Sequence, residues 1–75
     1  MKKTDEDIVQ DHIDNAKAYK EWFAHENAMT ELRKAESYVL AEHEKQCKLG
    51  KEKEEESTKY YMPLLFKVMN EIGNL

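Results

Sequence analysis

The side chains with the widest chemical range in this 75-residue chain are three histidines and one cysteine. His43 and Cys47 are four residues apart, so a helix places both on one side, where they could supply two ligands to zinc. A closed tetrahedral site needs four ligands, and no second pair accompanies them. With Glu42 and Glu44 beside it, His43 reads as a partly exposed histidine among acids. His12 lies between Asp11 and Ile13, and His25 precedes Glu26, without the His-Glu-x-x-His or Glu-x-x-His spacing of helical metal sites. No metal and no cofactor is expected.

Catalysis finds little support. Cys47 would need a base and an oxyanion site around it, and neither is built locally. Paired carboxylates recur, as in Asp11/Asp14 and Glu52/Glu55/Glu56, but the second cluster has no apolar neighbours to form a pocket and Glu71 stands alone. A phosphate-cradling loop is excluded, because Gly50 and Gly73 are the only glycines. No enzyme is expected.

Aromatic residues are more informative. Trp22-Phe23 and Tyr60-Tyr61 are adjacent pairs, and neighbours on a helix point about 100° apart. Phe23 and Tyr61 are expected in the core. Trp22 and Tyr60 could serve either core or interface, where Trp, Tyr and Met are common anchors. Met29, Met62 and Met69 suit irregular gaps or an adaptable contact surface.

The elements that carry these residues are helical. Thr4 starts the first helix, with Asp5, Glu6 and Asp7 at the positive end of its dipole and Asp7 as a short capping-box acid. Val9, Ile13, Ala16, the stem of Lys20 and Phe23 then recur at steps of four and three. A second stripe, Ala28, Leu32, Ala35 and Val39, has the same steps but is rotated by roughly 100°. Residues 4–48 are therefore either one long helix with two faces or two helices broken near 25–29, with Asn27 or Thr30 as the second cap.

Gly50 is the clearest hinge, able to take a left-handed cap after Lys48-Leu49. Residues 51–58 hold no apolar side chain except in Ser57-Thr58's methyl and methylene groups, and are expected to be a charged connector. A last helix is expected over about 62–73, with Pro63 in its first turn, or from Thr58 with a kink at Pro63. Its stripe is Leu65, Val68, Met69 and Ile72, with Leu64, Phe66 and Leu75 outside it. Strand signals are weak. The fold class is all-α: one small domain over 1–75, a two- or three-helix hairpin or bundle hinged at Gly50.

A chain of this length buries only about 60–65% of its unfolded surface. One cysteine allows no internal disulfide, so completion by oligomerisation, a dimer first, is the expected route to stability. The net charge is −4, and residues 1–31 hold eight acids against four bases. Nucleic-acid binding is disfavoured by that sign. No apolar run approaches the ~20 residues of a membrane span. Two early lysines without a following apolar stretch are not a signal peptide. A single cysteine suits a reducing, cytoplasmic setting.

These features predict a helical protein–protein interaction module: an adaptor, an assembly factor or an inhibitor, of the size and charge common among phage and mobile-element accessory proteins. Its binding groups would be Trp22, Tyr60, Met62 and Phe66. An alternative is an acidic mimic of nucleic acid, with Asp7, Asp11 and Asp14 in a row that occupies a partner's nucleic-acid site. A third, weaker reading is a helical dimer that binds nucleic acid through the Lys48–Lys53 tip, where acids interleave with the lysines.

Overall fold

The computed structural model describes residues 3–75, which form three α-helices and no strand. The signal-peptide expectation rests partly on Met1 and Lys2, which lie outside the described residues. Helix α1 spans Asp5–Glu21, α2 spans His25–Cys47 and α3 spans Lys51–Gly73.

The start of α1 follows the sequence closely. Thr4 is extended (φ −74°, ψ 166°), and its hydroxyl accepts from the Asp7 N–H at 3.2 Å. The Asp7 carboxylate accepts in return from the Thr4 N–H at 3.4 Å, which completes a capping box. Val9, Ile13 and Ala16 are buried, as their spacing requires.

The chain breaks at Trp22–Ala24, slightly before the expected 25–29. Asn27 and Thr30 are inside α2, whose N-cap is Ala24 with no side-chain bond. The reason lies at the end of α1. The Phe23 N–H donates to the Lys20 carbonyl at 3.1 Å, and the Ala24 N–H to the Tyr19 carbonyl at 2.8 Å. This is a Schellman closure, which needs a left-handed residue, usually glycine, just past the C-cap. Phe23 occupies that position with φ +60°. It is therefore not a core residue: its ring is 86% exposed. Lys20 does not pack its stem into the core stripe either. It is exposed, and its ammonium donates to the Asn74 carbonyl at 2.8 Å.

Gly50 is a hinge of a different geometry. Helix α2 ends at Cys47, and Gly50 (φ 125°, ψ 170°) is the N-cap of α3 rather than a left-handed cap of α2. Helix α3 then begins at once, so residues 51–58 are helix and not connector, and the last helix starts eleven residues before Met62. The Gly50 carbonyl accepts from Glu54 N–H at 2.9 Å, and Glu52 and Glu54 lie at the favourable end of the dipole. Pro63 sits inside this helix. It removes one backbone bond, to Lys59, and both residues are on the exposed side.

The buried set of α3 is Ser57, Tyr61, Leu64 and Val68. Leu64 thus belongs to the core, while Met69 is exposed and Leu65 and Ile72 only flank the cluster. The helix is rotated from its expected register because the stripe begins at Ser57, two turns before the first apolar residue of the segment's obvious run.

Helix α2 is central. Its narrow stripe of Ala28, Leu32, Ala35 and Val39 is fully buried, and α1 and α3 both pack on that side while touching each other little. Cross-links between α1 and α3 are chiefly polar: Tyr61 to Asp5, Lys67 to Gln10 and Lys20 to Asn74. The result is flattened, 43 × 29 × 14 Å, with a radius of gyration of 13.3 Å. A compact chain of this length has about 11 Å.

Candidate interaction surface

Three polar groupings close the interior. At the first, the Asp5 carboxylate accepts from the Tyr61 hydroxyl at 2.6 Å and from the Tyr38 hydroxyl, so one residue of α1 ties to both other helices. Tyr38 is pushed up to about 12, first by this hydrogen bond and then by burial. Tyr61 is raised further, first by burial and then by Asp5. At the second, His43 Nδ1 meets Ser57 Oγ at 2.7 Å, and its Nε2 lies 3.5 Å from Cys47 Sγ. At the third, His12 Nδ1 lies 2.9 Å from the Glu31 carboxylate, which also pairs with Lys34 at 3.5 Å. The hydrogen bond from His12 holds Glu31 below the ordinary carboxylate range, against burial.

The spacing of His43 and Cys47 does bring them together, as a helix must. Ser57, however, takes the other imidazole nitrogen across the α2–α3 seam, and no group of three or more ligating side chains gathers among the described residues. Ser57 is the one polar side chain of the buried set among the described residues, and His43 is what satisfies it. Its role had a signal in the sequence: it stands four residues before Tyr61 and seven before Leu64.

The residues singled out as binding groups fall into separate places. Trp22 is 73% exposed at the α1–α2 corner, beside Phe23. Its ring meets Tyr19 edge-on at 6.3 Å, and nothing else aromatic covers it among the described residues. Tyr60 is partly exposed on the flank of α3 nearest the start of α1. It stacks edge-on against Tyr61 at 4.8 Å, and burial followed by the acids Asp5, Glu6 and Asp7 raises its pKa. Met62 and Phe66 lie on the opposite flank of α3, turned away from α1. Helical steps of four and three join Met62, Phe66 and Met69 in one row, with Phe66 64% and Met69 52% exposed.

The acidic row is already engaged. Asp7 closes the capping box, Asp11 pairs with Lys3, and Asp14 accepts from Gln10 at 2.9 Å. At the Gly50 tip, Lys48 pairs with Glu44 at 3.8 Å and Lys53 with Glu56 at 3.6 Å. No described helix is long and apolar enough to cross a membrane.

Phe23 and Met69 are the surface groups that sequence reasoning placed elsewhere. Met69 could have been found from its phase with Met62 and Phe66. Phe23 could have been found from the 100° offset between the two stripes: the break needs a positive-φ residue, and no glycine is available to take it. No protein-family model matches the chain, and no significant match is found among curated proteins or solved structures.

Proposed function

We propose that this chain is a small helical interaction module, an adaptor, assembly factor or inhibitor, that binds another protein through the Trp22–Phe23 corner. The observation that supports this reading is the backbone of Phe23. A bulky aromatic residue in the left-handed region costs about 1–2 kcal/mol, which glycine avoids. A residue selected for folding alone would be Gly or Asn. Here the position carries a phenyl ring that is almost wholly in water, next to an indole that is mostly so. Strain combined with exposed apolar area is the pattern of a binding anchor rather than of a fold determinant. The module acts by occupying a surface, with no turnover of its own, in a reducing compartment where Cys47 stays a thiol.

The test is Phe23→Gly. Retained or raised thermal stability, together with loss of the proteins that copurify with the wild-type chain, is the expected result. A fall in stability would assign the ring to the fold and remove the basis of the proposal.

A further inference from the structure

We propose that a second copy of this chain packs on the face of the α2–α3 hairpin that α1 leaves uncovered, around a two-fold axis between Arg33 and Glu36. The α1 side of α3 is fixed by Lys67, which reaches Gln10, and by Tyr61, which reaches Asp5. Met62, Phe66 and Met69 lie on the other flank, at helical steps of four and three. On α2, Glu31 and Tyr38 mark the side that meets α1. Met29, Arg33, Glu36 and Leu40 form a row at steps of four, three and four on the flank away from it. Leu40 is 44% exposed, and Met29 and Met62 are half-buried. The two rows border one seam and together give an apolar band with two charges in its middle.

Area and charge both point to a second copy as the occupant. The chain exposes 5515 Å², whereas a compact monomer of its mass exposes about 4,800 Å². The excess of about 700 Å² belongs to the whole flattened surface, the Trp22–Phe23 corner included, and is of the order of the ~800 Å² that each partner contributes to a standard interface. Arg33 and Glu36 form no ion pair among the described residues. They are opposite in sign and one helical turn apart. A two-fold axis between them therefore sets Arg33 of one copy against Glu36 of the other, which makes the band self-complementary.

The experiment is light scattering behind size exclusion, across a wide concentration series, on the full chain and four variants. The wild type is expected at twice 8.9 kDa. Phe66→Glu should weaken the dimer about thirtyfold or more while leaving the helical circular dichroism unchanged. Should Phe66→Glu fail to fold, the charge variants carry the test. Arg33→Glu and Glu36→Arg should each weaken the dimer, and the double exchange should restore it. A wild-type mass of 8.9 kDa at every concentration would overturn the proposal. So would a dimer that persists in Phe66→Glu, or single charge reversals that leave its affinity unchanged. All three outcomes leave the Trp22–Phe23 proposal intact, because that corner is at the α1–α2 turn and not on this face.

Discussion

The chain reverses direction twice, and the two ends of the molecule handle the reversal in opposite ways. At the Gly50 end, a glycine takes the φ of 125° that other residues avoid. Behind it the interior is closed by polar pairs: Ser57 with His43, and Asp5 with Tyr38 and Tyr61. At the Trp22 end, a phenylalanine takes the positive φ and two aromatic rings stand in water. Behind them the core is aliphatic, with Ala16, Ala28, Leu32 and Val68. One end pairs its polar groups and turns on glycine, with the aliphatic Leu49 beside it 67% exposed. The other leaves two aromatic rings open, one of them on a left-handed non-glycine backbone. Non-glycine strain and exposed aromatic rings are thus not requirements of reversing the chain, since the same short molecule reverses at Gly50 with neither.

Substitutions should separate the ends. The largest effect belongs to Asp5→Ala, which removes the acceptor of two part-buried hydroxyls. A loss of about 2–4 kcal/mol is expected in urea denaturation, given roughly 1.5–3 for each hydrogen bond to a charged group and incomplete additivity. A pH series reads the same network. Tyr38 is raised from 10.0 to about 12 in the folded chain, so the folded state holds its proton longer than the unfolded state. That stability is fully present below pH 10 and declines as pH rises from 10 towards 12. In Asp5→Ala the alkaline decline should be visibly shallower.

Gly50→Ala comes next. No atom lies within 4 Å of an added Cβ, so backbone strain alone acts, and about 1–3 kcal/mol should be lost. Phe23→Gly should move the other way, with a gain of about 0.5–1 kcal/mol after the added freedom of the unfolded chain is set against the relieved strain. Equal and same-signed effects at the two turns would break the comparison. The smallest change is expected for Trp22→Ala, at most about 1 kcal/mol, since only the edge contact with Tyr19 is lost.

Much of this architecture was legible in the residues. Thr4 and Asp7 announce the first helix, and the stripes of Val9–Ile13–Ala16 and Ala28–Leu32–Ala35–Val39 give two buried faces in the right phase. What was not legible follows from tertiary override of local signals. Residues 51–56 look like a solvated connector, yet they extend a helix whose burial begins at Ser57, a residue whose polarity hides its position in the core. Without that anchor the stripe of α3 is read one flank too far, through Leu65 and Met69 instead of Leu64, although Tyr61 is placed in the core by its bulk and is buried there. Phe23 was misplaced for the opposite reason: it continues the apolar stripe of α1 by spacing, but the helix ends at Glu21, two residues before it, and the closing turn directs it outwards. Of the proposed binding groups, Trp22 and Phe66 were visible as large apolar residues beside or outside a stripe. That they lie in different places depends on which side of the hairpin α1 covers, and helical spacing alone does not fix that.

The central claim, that the Trp22–Phe23 corner is a protein-binding site, is tested most directly by photo-crosslinking in cells. A benzophenone side chain is placed at position 23 in one variant and at exposed Glu52, at the Gly50 end, in another. A discrete adduct with another protein is expected from position 23, lost when Trp22→Ala is added, and none from position 52. No adduct from position 23, or the same adducts from both ends, would contradict it.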